Sequence, residues 1–511
     1  GASDAAKFGA SNTIYGGTWD GTTAVASGSD TVDYGAIIDT SYNIYADLSA
    51  PFNKVEIRTN TTVHKSDSVI DVNNVRGTSG DDTFRGNSNA NILNGGAGNN
   101  TVLYTFTALT AGVIIDLEAG TADKVIGATT VTDTLTNIQN VSGSKYDDFF
   151  FGRVSEANII DGGTDNSSEV DGDTIDYDVA GVTKIVLDLD ITHTTDFYGI
   201  GVTNDGTYAS VRVNDGSSPT DKIRNIENII GSGGADTIYG NGENNTIFGM
   251  GGADTIYGVA GNNYIDGGAG NDLIYSGIGA DKLFGGTGND TFRGTTAGSF
   301  AGDVIDGGNE TDGINVTGRG SDTVDYSSVD TSGFTKGIEV TLNDTTDSTV
   351  TINDANSHVI KNIENIIGTS HNDTIIGDTG DNTLIGGAGT DTIRGITGNN
   401  YIDGGDDSDI IYAGTGEDKI YTGSGDDTIF TAVGSDTVYG GDGNDKIYGG
   451  LGSKIYGGNY ITATQSHTDS GIDTVSYEDI NSSVTVRLDA NFAIVAATGN
   501  SDIIFGIENV I

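Results

Sequence analysis

The sequence predicts an all-β protein built as a solenoid of stacked parallel strands. Three observations carry that prediction: a nine-residue metre that repeats without a slip, one apolar position within it, and a composition dominated by turn formers. The chain has 511 residues, with 80 Gly, 2 Pro and no Cys. Asp and Glu together number 73, only 12 of them Glu, against 23 Lys and Arg, for a net charge of -50. Asp suits turns and hard-cation sites where Glu suits helices. A polyanion of this size repels nucleic-acid phosphates and anionic lipid, so neither is an expected partner. No run of about 18 apolar residues exists to span a membrane as a helix. The apolar fraction of 35%, with 22 Tyr and 16 Phe, argues for a folded chain rather than a disordered one.

The metre runs in two blocks. From Gly231 to Arg293 the chain reads GSGGADTIY, GNGENNTIF, GMGGADTIY, GVAGNNYID, GGAGNDLIY, SGIGADKLF, GGTGNDTFR. From Gly368 to Tyr448 nine more units follow, from GTSHNDTII to GGDGNDKIY. The eighth position is apolar in every unit, from Ile238 to Phe292 and from Ile375 to Ile447. A three-residue strand with one inward side chain needs that pattern. The first six positions are rich in Gly, Asp and Asn, which supply tight turns. Two units make an 18-residue coil, and a coil must stack on others to bury its Ile.

These units resemble the nonapeptide GGxGxDxUx of the RTX (repeat-in-toxin) family, where U is a large apolar residue; GGAGNDLIY at 267–275 and GGDGNDKIY at 440–448 fit it fully. The resemblance implies a right-handed parallel β-roll (a β-helix-like solenoid) that binds Ca²⁺ in its turns, each ion between units n and n+2.

The sixth position carries the chemistry. On one edge of the roll it is always Asp: Asp236, Asp254, Asp272 and Asp290, then Asp373, Asp391, Asp409, Asp427 and Asp445. On the other edge each block begins with Asn twice, Asn245 and Asn263 or Asn382 and Asn400, then turns to Asp281 or to Asp418 and Asp436. Coils stack about 4.8 Å apart, where two carboxylates repel by about 3–4 kcal/mol at an effective dielectric of 20. Such rows need raised pKa values or cations between neighbours. An all-oxygen cage on flexible glycine backbone suits Ca²⁺ better than Mg²⁺, and without Cys it does not suit thiophilic metals. Successive members of each Asp row, and the pair Asp418/Asp436, are therefore the expected ligands. Asp281/Asp303 is a further candidate, although four extra residues separate its two members. The Asn pairs are expected to bind calcium weakly or not at all, with amide ladders in its place.

Longer units surround the blocks. DT[VI]xY recurs at Asp30–Tyr34, Asp173–Tyr177, Asp322–Tyr326 and Asp473–Tyr477. Each copy follows a Gly-Gly and a polar loop, and alternating strands such as IVLDLD at 185–190 and segments such as NIENII at 225–230 and 362–367 come after it. They re-enter the nine-residue phase, as in GTSGDDTFR at 77–85, and so read as wider coils of the same solenoid. The expected organisation is an irregular solenoid over 1–230, a first roll over 231–306, wider coils over 307–367, a second roll over 368–457 and wider coils over 458–511 that continue beyond the chain.

Catalytic signatures are missing: no HExxH, no GxSxG, no P-loop and no Rossmann fingerprint. Tyr239, Tyr257 and Tyr275, then Tyr412, Phe430 and Tyr448, form an expected outward aromatic stripe on one sheet, suited to another subunit or to cell-surface glycan. The expected function is noncatalytic: a rod-like, calcium-dependent, extracellular structural protein of the surface-layer or large-adhesin kind. The resemblance implies type I secretion from a Gram-negative bacterium. The rival is a noncatalytic C-terminal roll of a secreted protease, lipase or epimerase.

Overall fold

Gly270 shows what the metre demands of the backbone. It sits at φ +144°, and a Cβ there would collide with the carbonyl oxygen of Gly252, one coil away. Turns stacked this closely exclude side chains at such positions, and the strands between them are correspondingly short. The computed structural model describes residues 13–511 except 16–17, 20–23, 26–29, 50–52, 60–61, 71, 153–155, 164–171, 196–203, 215–219, 295–299, 309–319, 330–334, 344–345, 354–355, 451, 462–465, 469–470, 478–484, 490–491 and 498–499. Most of the polar loops after the Gly-Gly pairs lie outside the described residues. The described residues contain no helix.

The chain forms two compact units, one of residues 1–241 and 245–250, the other of 242–244 and 251–511. In the second unit, three-residue strands pair in parallel with the strand 18 residues on. Thr255–Tyr257 pairs with Leu273–Tyr275, and that with Thr291–Arg293. Thr374–Ile376 pairs with Thr392–Arg394, and that with Ile410–Tyr412. All sixteen eighth-position residues of the two blocks are completely buried, as the single inward position requires. In the first unit the same metre runs over three consecutive nines from Gly77 to Leu103, with Phe84, Leu93 and Val102 inward and fully buried.

The wider coils differ from expectation. Each is a three-stranded antiparallel meander, for example Val113–Asp116, Thr121–Ile126 and Thr129–Thr136. Two antiparallel reversals leave the first and third strands pointing the same way, so both can enter the parallel sheet. Val113–Asp116 accordingly pairs in parallel with Phe149–Phe151, and Thr129–Thr136 with Ile92–Asn94. Ile185–Asp188, Ala209–Val213 and Thr220–Arg224 repeat the arrangement, as do Ile338–Thr341, Ser348–Ile352 and Asn356–Lys361.

A buried tyrosine ties each meander to the coil before it. The hydroxyls of Tyr34, Tyr104, Tyr177 and Tyr477 donate to Asp67, Asp133, Asp221 and Asp502 at 2.7–3.2 Å. In the fifth copy Tyr326 meets Nε2 of His358 at 2.7 Å. Asp133 also accepts from Lys124 at 2.6 Å, with both side chains fully buried. The four tyrosines of DT[VI]xY, with Tyr104 of NTVLY, therefore close the meanders.

The aromatic stripe also differs. Tyr239 is buried, beside Ile185–Asp188. Tyr257 and Tyr275 stack at 4.2 Å in one sheet, while Tyr412, Phe430 and Tyr448 stack at 4.7 and 4.5 Å in the other. The first-edge strands change sheet because the meander between the blocks changes the parity of the strand count. A second ladder, of Tyr421, Tyr439, Tyr456 and Phe505, stacks on the sheet opposite Tyr412.

Tyr177→Phe removes the donor to a buried carboxylate and should cost about 1–3 kcal/mol, read as a lower urea midpoint. Tyr448→Phe, on the half-buried outer ladder, should cost less than about 0.5 kcal/mol. Equal midpoints for the two variants would contradict the closing role of the buried tyrosine.

Candidate metal centre

Each sixth-position Asp serves as acceptor for the coil before it. In the second roll the Asp373 N–H donates to Oδ1 of Asp391 at 2.7 Å, Asp391 to Asp409 at 2.8 Å, Asp409 to Asp427 at 2.7 Å and Asp427 to Asp445 at 3.0 Å. In the first roll Asp254 donates to Asp272, and Asp272 to Asp290, both at 2.8 Å. On the other edge Asp418 donates to Asp436 at 3.0 Å, and Asp281 to Asp303 at 2.8 Å. The insertion before Asp303 is thus accommodated without breaking the row. Asp236 lies in the first unit and Asp254 in the second.

The rows continue past the blocks. Asp290 donates to Asp322 and Asp322 to Glu364; Asp445 donates to Asp473 and Asp473 to Glu508. In the first unit Asp148 donates to Asp173 and Asp173 to Glu227, while Asp82 donates to Asn100 and Asn100 to Gln139. The Glu or Gln of each NI[EQ]N segment, with Glu508 of GIENV, therefore ends a row. Sequence reasoning missed Asp173, Asp322 and Asp473 as row members. The signal was present, because DT[VI]xY contains the same Asp-Thr-apolar step as DTIY.

Rows also begin in a fixed way. Oδ1 of Asp82, Asp148, Asp236 and Asp373 accepts the N–H that opens a meander strand, from Ile44, Val113, Ile185 and Ile338. The other oxygen accepts the N–H of Thr78, Ser144, Ser232 or Thr369, whose hydroxyls bond the same carboxylates. Asp236 and Asp373, both expected ligands, are thus hydrogen-bonded through both oxygens.

On the other edge the opening residues are Asn91, Asn158, Asn245 and Asn382. Their amides donate to the carbonyls of Asn73, Gln139, Glu227 and Glu364. A carbonyl partner needs a donor, which Asp lacks; this is why the edge begins with Asn. The expected amide ladder is partly realised: the Asn382 N–H meets Oδ1 of Asn400 at 3.0 Å. The amide nitrogens point to main-chain carbonyls and, in Asn382 and Asn400, also to Oδ1 of Asp378 and Asp418 at 3.0 Å.

The interior row members are different. Oδ2 of Asp272, Asp290, Asp391 and Asp409 is buried and has no hydrogen-bond partner. Each faces the glycine at the first position of its own unit. A Cβ on Gly267 would lie 2.5 Å from Oδ2 of Asp272 and 2.8 Å from the Gly285 carbonyl oxygen. Gly285, Gly386 and Gly404 repeat this with Asp290, Asp391 and Asp409. A carboxylate oxygen and a carbonyl oxygen thus converge on each gap with no proton between them.

Burial raises these carboxyls: Asp391 to about 8, with Asp373, Asp409 and Asp407 adding to the rise, Asp290, Asp303 and Asp409 to about 7, and Asp272, Asp281, Asp373, Asp427 and Asp436 to about 6. Burial also raises Asp236 and Asp418.

The donor set fits Ca²⁺: all oxygen, carboxylate plus main-chain carbonyl, on a glycine backbone. Among the described residues no three His, Cys, Asp or Glu side chains gather as a cage, so a cation here must draw on carbonyl oxygens. Asp272, Asp290, Asp391 and Asp409 have open oxygens that face a glycine and a carbonyl, and Asp281, Asp303, Asp418 and Asp427 also have a buried Oδ2 without a hydrogen-bond partner; the charge of a cation would offset the repulsion along the row.

A four-copy family model of the RTX calcium-binding nonapeptide repeat matches residues 70–102, 230–264, 257–292, 367–402, 394–429 and 421–453. Repeats of this type bind Ca²⁺. No curated protein matches the chain. No helix among the described residues is long and apolar enough to cross a membrane, which leaves β-barrels unaddressed.

The raised pKa values predict a pH dependence for chelated protein. Carboxyls raised above their unfolded values contribute stability that is complete below about pH 4 and lost as pH rises through about 6 to 8. Urea midpoints in chelator should therefore be lower at pH 8 than at pH 5, and saturating calcium should abolish the loss. Equal midpoints in chelator at both pH values would refute the assignment.

Proposed function

From a chain that carries RTX calcium-binding repeats, we propose an extracellular calcium-dependent structural protein of surface-layer or adhesin type. The observation that carries it is the open oxygen of Asp272, Asp290, Asp391 and Asp409, turned toward a carbonyl across a gap that only glycine leaves free. Asp254, Asp272 and Asp290, with Asp391, Asp409 and Asp445, are the ligands we put first. Sites built of carbonyls and few carboxylates suit the weak, roughly millimolar affinities of extracellular modules. Calcium binding to the fold alone stabilises it by mass action, so the chain is least stable where calcium is scarce and completes its folding after export.

Self-assembly is the partner class we retain. The outer rings of Tyr421, Tyr439, Tyr456 and Phe505 lie nearly parallel, 4.8–5.0 Å apart. Their faces are occupied by one another, so they present edges and hydroxyls rather than the open faces on which sugars stack.

Calcium titrated into chelated protein should raise the far-UV β signal cooperatively, and negative-stain images in calcium should show sheets or filaments. Asp409→Asn should weaken calcium binding several-fold by isothermal titration. A full β signal in chelator, unchanged by calcium, would overturn the folding switch; dispersed particles in calcium would count against self-assembly.

A further inference from the structure

The two edges of the second roll differ in a second position that the aspartates alone do not reveal. On the first edge the residue opening each unit is Gly368, Gly386, Gly404, Thr422 and Gly440, each five residues before an Asp. On the opposite edge it is Gly377 and Gly395 before Asn382 and Asn400, but Ala413 and Thr431 before Asp418 and Asp436. The opposite edge of the first roll follows the same rule: Gly240 and Gly258 precede Asn245 and Asn263, and Ser276 precedes Asp281. Among the nine-residue units of the two blocks, no unit of the opposite edge joins a glycine to an aspartate; the longer unit of Asp303 opens with Gly294.

That pairing matters because the first position faces the gap. A Cβ on Gly386 would meet Oδ2 of Asp391 and the Gly404 carbonyl oxygen, the two atoms a cation would join. At Ala413 and Thr431, both fully buried, a Cβ is present. The Thr431 hydroxyl accepts the Gly450 N–H at 2.7 Å, so its polar group is engaged within the turn.

In the glycine units of Asn263 and Asn400, the amide takes the cation's role by another route. Nδ2 of Asn400 lies 2.6 Å from where a Cβ of Gly395 would stand, and donates to Oδ1 of Asp418 at 3.0 Å and to the carbonyls of Thr397 and Gly398 at 3.2 and 3.4 Å. Asn263 does the same toward Gly258, Ala260 and Gly261. An amide proton satisfies carbonyls that a carboxylate could share only through a cation. The exception on the first edge is Thr422, fully buried, whose hydroxyl donates to the Gly440 carbonyl oxygen.

We infer that each roll loads calcium along one edge only, and that the first-position residue sets occupancy: glycine opens a site, whereas Ser276, Ala413, Thr422 and Thr431 close one. This rests on the calcium reading of the first edge and withdraws Asp281, Asp418, Asp427 and Asp436 from it as principal ligands. Oδ2 of Asp281, Asp418 and Asp427 is buried and without a hydrogen-bond partner as well, so what separates these units from the open ones is the side chain of Ser276, Ala413 or Thr422 at the first position, where the open units have only glycine.

The test counts calcium bound per full-length chain by equilibrium dialysis of chelator-stripped protein. Asp391→Asn should lower the count by at least one, and Asp418→Asn should leave it unchanged. Ala413→Gly combined with Thr431→Gly should raise it, and adding Asp418→Asn to that pair should cancel the gain. Thr422→Gly, a single and milder change, should also raise it. A fall for Asp418→Asn equal to that for Asp391→Asn overturns the inference, as does an unchanged count in calcium-folded Thr422→Gly. An unchanged count for Asp391→Asn instead refutes the calcium reading of the first edge itself.

Discussion

Everything in the rolls depends on how one carboxylate divides its two oxygens. Oδ1 of each interior Asp accepts the N–H of the Asp one coil earlier, which sets the register of the stack. In Asp272, Asp290, Asp391 and Asp409, Oδ2 is then left facing a carbonyl oxygen across a gap with no donor. The first oxygen brings like charges together at the coil spacing, and the second leaves room for the opposite charge that makes this tolerable. Turn geometry, glycine usage and acidity are consequences of that division.

The meanders are where rows begin and end. A strand-opening N–H and a Ser or Thr hydroxyl satisfy the first Asp, and a Glu or Gln side chain takes the last N–H. Both ends of a row are thereby hydrogen-bonded rather than left as open edges, which uncapped solenoid stacks would expose. The buried tyrosine–carboxylate contact fixes the third meander strand to the preceding coil, so row start, row end and sheet continuity are set by one inserted element.

A further set of side-chain contacts runs in the opposite sense along the turns. The Asn262 N–H donates to Oδ1 of Asn244, Asn289 to Asn271, and Asn444 to Asp426. Here the later coil donates to the earlier one, whereas in the sixth-position rows the earlier donates to the later. Two ladders of opposite polarity lock coil spacing from both sides of the turn, so the fifth position, which carries no apolar signal, is also under structural demand.

The nine-residue metre was legible because every unit repeats its one inward side chain, and the burial of Ile238 through Ile447 follows from that spacing alone. The Asp rows inside the blocks were equally legible, since an 18-residue period brings the same position to the same edge. Tertiary structure decided the rest. Whether a longer segment widens a coil or folds back as a meander depends on pairing partners far away in sequence, such as Phe149–Phe151 for Val113–Asp116. The same pairing placed Asp322 and Asp473 in rows, assigned Asn245 and Asn382 to carbonyl partners, and buried Tyr239. Local sequence named the residues that could bridge coils; only the stacked fold determined which oxygen each one would leave open.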